Sequence, residues 1–196
     1  MKSIELFAGA GGLGLGLTKA GFNHDMVVEW NKDACDTIRM NQRSDHPLVS
    51  RWPLLEMDAT KIDYSNLSPG IELLSGGPPC QPFSLGGKHK GDKDHRNLFP
   101  EMIRAVRELR PKFVLVENVK GLLRESFKTF FQYVLLQIQY PELTIGKNET
   151  TTQHLARMEK QQTKGQYQGL RYNVVFRLLN AANYGVPQRQ IGRAHV

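Results

Sequence analysis

Residues 3–14 read SIELFAGAGGLG, and this stretch decides the fold prediction for the whole chain. The apolar run Ser3–Ala8 stops at glycines, which is typical of a buried strand. The segment Gly9–Gly14 follows the pattern G-x-G-x-x-G, and Gly14–Ala20 then has the composition of a helix that is closed by Gly21. A strand, a glycine loop and a helix in this order predict the first unit of a parallel α/β sheet.

The same alternation of strands and helices continues along the chain. Apolar runs predict further strands at Met26–Trp30, Leu55–Ala59, Ile71–Ser75, Phe113–Glu117 and Tyr172–Leu179. Helical periodicity predicts helices at Lys32–Asn41, Leu98–Arg110 and Phe127–Tyr140. We therefore predict an α/β fold with a mostly parallel sheet and helices on both faces. The polar segment Pro141–Gly169 is interpreted as an insertion with a short helix around Gln153–Gln162.

Chemically informative residues follow the predicted strands, where parallel α/β sheets bind their ligands. Glu29 lies 20 residues beyond Gly9, and a carboxylate at that place can accept ribose hydroxyls. Trp30 offers a flat face to an adenine ring, and Asp58 offers an acceptor for the adenine amino group. With the glycine loop these residues predict an adenosine-containing cofactor. The pattern alone leaves open a nicotinamide cofactor, S-adenosylmethionine, or merely a tight turn beside an incidental surface acid.

The segment Gly76–Ser84 reads GGPPCQPFS and places a cysteine between prolines at the end of a predicted strand. The alternative for Cys80 is a buried, inert cysteine, but the flanking prolines argue against a core helix or a central strand here. They favour a thiol that is held rigidly, as an attacking nucleophile requires. The other cysteine, Cys35, lies in a predicted helix, and we interpret it as buried and inert. Two cysteines in 196 residues do not form a disulfide framework.

Four motifs in the correct order resemble those of the DNA (cytosine-5-)-methyltransferase family. The segment Gly76–Ser84 is similar to the family's catalytic motif, and Phe7–Gly12 (FAGAGG) is similar to its first motif. Residues 117–119 (ENV) match its Glu-Asn-Val motif, and residues 180–189 (NAANYGVPQR) resemble the approach to its Gln-Arg motif. One departure is Glu5, which stands where an Asp is more usual in this family.

The resemblance implies a Rossmann-like, S-adenosylmethionine-dependent methyltransferase fold, with a catalytic domain over residues 1–189. The residues implied to bind this cofactor are Phe7, Ala8, Gly9, Ala10, Gly11, Gly12, Glu29, Trp30, Asp58, Ala59, Gly77, Pro79 and Leu98. Cys80 would add to C6 of a cytosine that is flipped out of the helix, and Glu117 would hydrogen-bond the ring at N3. Asn118 would hold this region in place, and Arg189 would contact a base or a phosphate. No metal is implied.

The polar segment Ser84–Asn97 is basic and contains glycines, as surface loops do. Taken alone it is a solvated run of charge, because it also holds Asp92 and Asp94. The family resemblance instead implies a loop that closes over DNA. The DNA-contacting residues that we expect are Ser84, Lys88, Lys90, Lys93, Arg96 and, later in the chain, Gln188.

The chain has 26 Lys and Arg against 19 Asp and Glu, and its formal net charge of +7 favours polyanionic partners. It has no run of about 18 apolar residues and no leader pattern. We therefore expect a cytoplasmic protein. The family resemblance further implies a monomeric enzyme of a prokaryote, which acts at the nucleoid. The expected partners are double-stranded DNA and a cognate restriction endonuclease. The alternatives are a tRNA substrate for the same chemistry, a nicotinamide-dependent oxidoreductase, and a non-enzymatic DNA-binding module.

The final residues, Gln190–Val196, depart from the family pattern. The family continues with basic residues and an apolar strand, whereas this chain ends in QIGRAHV. The last six of these residues resemble the translation of a common sequencing adapter. Our hypothesis is that Gln190–Val196 is not biological sequence. We then expect the target-recognition region and the final cofactor-side helix to be absent, and the fragment to be inactive or nearly so.

Overall fold

The computed structural model describes residues 1–67, 70–79, 97–187 and, for the backbone alone, 191–195. The chain forms two compact units. The first comprises Met1–Pro78 and Glu108–Glu117, and the second comprises Pro79–Arg107 and Asn118–Val196. Among the described residues, no helix has the length and the apolar character needed to cross a membrane.

A parallel sheet of five strands forms the core of the first unit. In chain order the strands are β1 (Lys2–Leu6), β2 (Asn23–Glu29), β3 (Leu54–Glu56), β4 (Leu73–Gly76) and β5 (Phe113–Val119, whose last two residues belong to the second unit). Across the sheet their order is β3-β2-β1-β4-β5, so the winding reverses between β1 and β4. Ligands of open parallel sheets bind at such a reversal, beyond the carboxyl ends of the strands. The structure confirms the predicted α/β fold.

Two helices accompany the first three strands. Helix α1 (Gly12–Lys19) follows the glycine loop, and α2 (Lys32–Arg43) follows β2. The side chain of Asn31 caps α2 by accepting a hydrogen bond from the backbone of Ala34 at 3.0 Å. An apolar cluster packs α2 against the sheet, and its buried members are Ala8, Val27, Ile38, Val49 and Trp52.

Among its described residues, the second unit contains three α-helices and a pair of antiparallel strands. They are α3 (Phe99–Leu109, whose last two residues belong to the first unit), α4 (Lys128–Gln139), α5 (Thr151–Lys164), β6 (Phe176–Asn180) and β7 (Ile191–His195). Thr150 and Gln153 form a capping box at the start of α5. The buried cluster of Tyr133, Leu136, Tyr140 and Met158 packs α5 on α4. The predicted helix at Gln153–Gln162 is confirmed, and it is longer at both ends.

Several predicted strand boundaries are wrong by two or more residues, among them the start of the second strand, which is Asn23 rather than Met26. Three of them have a clear physical cause. The first strand ends at Leu6 rather than Ala8, since Phe7 has a φ of 58°. The third ends at Glu56 rather than Ala59, because the Asp58 side chain instead caps the short 3₁₀ turn Ala59–Lys61. The last begins at Phe176 rather than Tyr172, because the N–H of Tyr172 donates to the carbonyl of Gln139 after α4.

The C-terminal segment contributes backbone to a β-ladder. Asn180 is the register partner of Ile191, and Phe176 is the partner of His195. Antiparallel pairing uses main-chain N–H and C=O groups, which nearly every residue carries. The pairing of β7 therefore does not bear on the hypothesis that residues 190–196 are not biological sequence, and that hypothesis stays a prediction.

Candidate cofactor and catalytic site

The glycine loop between β1 and α1 is a tight turn with one open side. Gly9 and Gly11 have φ values of 57° and 91°, which favour glycine. The N–H of Ala8 continues the ladder by donating to Val28 O at 3.1 Å, and the N–H of Gly11 turns back to Ala8 O at 3.0 Å. A Cβ atom added at Gly9 or Gly12 would meet nothing within 4 Å. The loop therefore offers exposed backbone to a ligand at the carboxyl end of β1.

Glu29 joins this loop to the end of β2. Its side chain is 7% exposed, and its two oxygens accept three backbone hydrogen bonds. Oε2 accepts from Gly9 N at 2.7 Å, and Oε1 accepts from Trp30 N at 2.9 Å and Asn31 N at 2.7 Å. The prediction assigned this carboxylate to ribose hydroxyls. That role stays a prediction; in the structure, the carboxylate fixes the conformation of the loop.

Trp30 and Asp58 follow neighbouring parallel strands and lie at the same edge of the sheet. Glu29 and Glu56 are register partners, and Met57 N donates to Glu29 O at 2.9 Å. The Trp30 side chain is 74% exposed, so its ring is available to a ligand.

Asp58 Oδ1 accepts from the N–H and the hydroxyl of Thr60 at 3.0 and 2.8 Å. These hydrogen bonds lower the pKa of Asp58 and occupy its Oδ1, which leaves Oδ2 as the remaining acceptor.

The carboxyl ends of β4 and β5 bring Gly77 beside Glu117. Gly76 and Val116 are register partners, and a Cβ atom at Gly77 would lie 3.4 Å from Oε2 of Glu117. The glycine therefore leaves room for this carboxyl group. Glu117 is half-buried, and burial raises its pKa above that of an ordinary glutamate. A carboxyl group with a raised pKa retains a proton more readily and can donate it in a hydrogen bond.

In the second unit, three of the predicted residues take defined positions. The N–H of Leu98 donates to the carbonyl of Pro79 at 3.4 Å, and Leu98 is half-buried. Asn118 is 5% exposed, and its Oδ1 accepts from the N–H of Val119 at 2.9 Å. The side chain of Asn118 is thus fixed against the backbone at the end of β5.

Eight predicted residues lie outside the described part of the chain. They are Cys80, Ser84, Lys88, Lys90, Lys93, Arg96, Gln188 and Arg189.

The prediction for Cys35 is confirmed, because its side chain is fully buried and its Sγ donates to Glu29 O at 3.5 Å. Burial raises the pKa of the Cys35 thiol, which disfavours the reactive thiolate. In the ranges that the structure describes, no group of three or more residues is arranged to hold a metal.

Sequence reasoning missed two residues beneath the glycine loop. Glu5 is 1% exposed, and its Oε1 accepts from Gly14 N at 3.1 Å. Its Oε2 is buried with no hydrogen-bond partner among the described residues, and burial raises the pKa of Glu5 to about 8. Trp52 is 6% exposed and lies against Gly11 and Gly14. A single tryptophan between Arg51 and Pro53 carries no periodic signal that could have placed it there.

Proteins of known sequence resemble this chain closely. A family model described as C-5 cytosine-specific DNA methylase matches residues 1–140. The type II methyltransferase M.NgoMIV of Neisseria gonorrhoeae is 42% identical over 135 residues, which cover 69% of this chain and 41% of that protein. The type II methyltransferase M.AquIA of Picosynechococcus is 34% identical over 195 residues, which cover 95% of this chain and 67% of that protein. The chain thus spans less than half the length of M.NgoMIV.

Solved structures show the same architecture. A DNA modification methyltransferase encoded within an E. coli prophage matches with a TM-score of 0.63 and 26% identity, over 100% of this chain and 45% of that one. The S. pombe Dnmt2 methyltransferase matches with a TM-score of 0.55 and 18% identity, over 100% of this chain and 50% of that one. These likenesses confirm the Rossmann-like methyltransferase fold. Because the family model spans residues 1–140 of 196, the chain belongs to the C-5 cytosine-specific DNA methylase family.

Proposed function

We propose that the protein carrying this chain transfers a methyl group from S-adenosylmethionine to C5 of cytosine in DNA. The observation that carries the proposal is the position of Glu117 at the carboxyl end of β5, beside Gly77 of the Gly-Gly-Pro-Pro-Cys segment. Gly77 precedes Cys80 by three residues, so the half-buried carboxyl group lies next to the segment that leads to the thiol. Family membership supports the same assignment.

The residues at the ends of β1, β2 and β3 fit the proposed cofactor. The exposed ring of Trp30 suits an adenine, and Asp58 Oδ2 suits its amino group. Glu29 Oε2 already accepts from Gly9 and, as a carboxylate oxygen, has a second lone pair for a ribose hydroxyl. The open side of the glycine loop leaves room for the rest of the molecule. We further assign to this site Phe7, Ala8, Ala10, Gly11, Gly12, Ala59, Gly77, Pro79 and Leu98.

In the proposed reaction the chain supplies a nucleophile and an acid. The Cys80 thiolate forms a bond to C6 of the flipped-out cytosine, which makes C5 nucleophilic. The Glu117 carboxyl group donates a hydrogen bond to N3, where negative charge develops during the attack. Bound S-adenosylmethionine supplies the electrophilic methyl group. Loss of the C5 proton to a base then restores the ring and breaks the bond to Cys80, which leaves as thiolate.

The raised pKa of Glu117 supports its role as the acid. Because burial disfavours the charged carboxylate, more of the side chain is protonated near neutral pH than an exposed glutamate would be. Asn118, whose amide oxygen holds the Val119 N–H, would keep the end of β5 in place during the reaction. We assign Arg189 to contact with the base or a phosphate.

We propose double-stranded DNA as the substrate and a cognate restriction endonuclease as the companion of the protein in its cell. The names of M.NgoMIV and M.AquIA as type II methyltransferases support this setting, and the net charge of +7 suits a polyanion. The phosphate- and base-contacting residues proposed here are Ser84, Lys88, Lys90, Lys93, Arg96 and Gln188. A monomer acting in the prokaryotic cytoplasm is part of the same proposal.

A covalent trap tests the mechanism. In the presence of S-adenosylmethionine, DNA of mixed sequence that contains 5-fluorocytosine retains the cysteine adduct once C5 has been methylated, because the fluorine at C5 cannot leave as a proton does. The trap is applied to this chain and to this chain extended by the C-terminal part of M.NgoMIV. In the extended chain we expect an adduct that resists denaturation with Cys80 present and none with Cys80→Ala, while Cys35→Ala, the matched control, keeps the adduct. An undiminished adduct in Cys80→Ala would overturn the assignment.

A further inference from the structure

The inner side of the glycine loop is closed by the indole ring of Trp52. A Cβ atom added at Gly11 would lie 2.7 Å from Cζ3 and 3.1 Å from Cη2 of Trp52. A Cβ atom added at Gly14 would lie 2.8 Å from Cη2 and 3.2 Å from Cζ2. Atoms do not approach so closely without displacement, so the loop backbone rests directly on the edge of this ring. The loop therefore has a closed inner side and an open outer side.

The ring of Trp52 is held from several directions. Its Nε1 donates to Thr18 Oγ1 at 3.1 Å, near the end of α1. The ring of His24 on β2 meets it edge-on, with 5.0 Å between ring centroids. The carbonyl oxygen of Trp52 accepts from Gln42 Nε2 on α2 at 2.7 Å. Because α1 and β2 hold the ring and α2 holds the backbone of the same residue, the ring is a rigid support for the loop.

Helix α1 has no side-chain cap at its N-terminus. Its N-cap residue is Gly11, which has no side chain to accept a hydrogen bond from the first turn. Support comes instead from below, where Glu5 accepts from Gly14 N and the Trp52 ring contacts Gly11 and Gly14. The height of the first turn above the sheet is thus set by these two side chains.

We propose that Trp52 is a positioning residue for cofactor binding. It holds Gly11 and Gly14 at the distance from the sheet at which the ligand can contact the loop, Glu29 and Trp30 at the same time. The inference rests on the proposed function in that the ligand is S-adenosylmethionine or its product. Trp52 need not touch the ligand, since it lies on the closed side of the loop. A shorter side chain would remove this support and let the loop sink toward the sheet, which loosens a preorganised site.

Calorimetric titration with S-adenosylhomocysteine tests the proposal, with this chain extended by the C-terminal part of M.NgoMIV as in the trapping experiment. We expect Trp52→Phe, which keeps an aromatic core residue but has a shorter reach, to weaken binding by about tenfold or more. The matched control is Met158→Ala, a change of a fully buried residue in the second unit, which should change the affinity by less than about twofold. Thermal unfolding of each variant shows that the folded state is being titrated.

A double-mutant cycle with Gly11→Ala separates positioning from general destabilisation. The new methyl group meets the ring at Cζ3 in the wild type but loses that collision in Trp52→Phe. The backbone strain of an alanine at φ 91° is the same in both backgrounds and cancels. We therefore expect Gly11→Ala to weaken binding by a smaller factor in the Trp52→Phe background than in the wild type.

The outcomes are distinct. Failure of the wild-type chain to bind S-adenosylhomocysteine would remove both the proposed cofactor and this inference. Binding by the wild type, with equal affinity in Trp52→Phe or with strictly additive effects in the cycle, would overturn the inference and leave the proposed function intact.

Discussion

A hydrogen bond of 2.7 Å joins Glu29 to Gly9, in which the glycine N–H donates to Oε2 across 20 residues of sequence. The other oxygen of the carboxylate accepts from Trp30 and Asn31. One buried side chain thereby ties the loop after β1 to the residues after β2. Gly9 and Trp30, two of the residues proposed to bind the cofactor, are thus held together before any ligand arrives, which reduces the ordering that binding requires.

Glu29→Gln should weaken this tie. An amide keeps one acceptor oxygen but turns an NH₂ group toward a backbone N–H, so a buried donor loses its partner. We expect the free energy of unfolding to fall by about 1–3 kcal/mol, as measured by urea denaturation. The control Glu56→Gln, at the register partner on β3, removes a surface ion pair with Arg39 and no buried hydrogen bond, so it should cost less, about 0–1 kcal/mol. Equal losses in the two variants would contradict the account.

The stability of the first unit should depend on pH through Glu5. Burial raises its pKa from 4.5 to about 8 in the folded protein, so the folded state keeps this proton where the unfolded state has released it. The stabilisation of the folded state by protonated Glu5 is complete below pH about 4.5 and is lost as the pH rises toward 8. Within that window Glu5 should contribute a slope of up to about 1.4 kcal/mol per pH unit.

Glu5→Gln isolates this contribution, since it keeps an acceptor for Gly14 N but does not titrate. His24 lies close to the same turn and titrates in the opposite sense, since burial lowers its pKa, so the difference between variant and wild type is the quantity to measure. Urea denaturation at several pH values from 5 to 8 should show that the unfolding free energy of the variant increases relative to that of the wild type as the pH rises. A difference that stays constant over this range would show that Glu5 is ionised when folded.

In the second unit, Tyr133→Phe should destabilise the packing of α4 and α5. His154 is fully buried, its Nε2 lies 2.7 Å from Leu143 O, and its Nδ1 lies 2.6 Å from the Tyr133 hydroxyl. The carbonyl requires a proton on Nε2, so neutral His154 accepts from Tyr133 at Nδ1. Removal of the hydroxyl leaves that nitrogen unpaired, and we expect a loss of about 1–3 kcal/mol in unfolding free energy.

The matched control is Tyr184→Phe, because Tyr184 is 70% exposed and should tolerate the change. Burial also lowers the pKa of His154 from its ordinary 6.5. The contribution of neutral His154 to the free energy of unfolding is therefore complete above pH 6.5. It is lost as the pH falls through the lowered pKa of His154. A Tyr133→Phe variant as stable as Tyr184→Phe would refute this arrangement.

Glu117→Gln should reduce methyl transfer more than binding. The amide can donate a hydrogen bond to N3 but cannot share a proton with the ring, and general acid catalysis contributes about 10²–10⁴-fold to rates. We expect a loss of that order in kcat, with KM for DNA changed far less. The wild-type rate should also fall as the pH rises through the raised pKa of Glu117. The pH–rate profile of the variant should lack this decrease. Glu125→Gln, at an exposed position, is the control and should keep both the rate and its pH profile.

The C-terminal hypothesis is tested at the level of DNA. If residues 190–196 come from a sequencing adapter, re-sequencing of the source DNA should give different codons after Arg189 and an open reading frame that continues. The same codons in an intact genome, away from any read end, would show that QIGRAHV is native.

The sequence predicted the strand-end residues well because each follows directly from local pattern. Trp30 and Glu117 come at the ends of apolar runs, and parallel pairing then places the carboxyl ends of neighbouring strands at one edge. The start of β6 was mispredicted because Tyr172 bonds to Gln139, a partner that is remote in sequence. A local pattern carries no information about such a contact.

The supports beneath the glycine loop could not be predicted for the same reason. Glu5 is one residue of a short strand, and its burial depends on α1 lying over it. Trp52 reaches the loop from the segment before β3, where nothing in the surrounding residues indicates its partner. Residues that touch a ligand are marked by motifs, whereas residues that position those motifs become visible only in three dimensions.

The most direct test of the central claim follows the methyl group itself. DNA is incubated with S-adenosylmethionine that carries a trideuterated methyl group and with the protein containing this chain, extended as in the trapping experiment, and its nucleosides are then analysed by mass spectrometry. The account predicts deuterium in 5-methylcytosine, and none when Cys80 is replaced by alanine. Label on an exocyclic nitrogen of cytosine or adenine, or label at C5 that persists without Cys80, would contradict it.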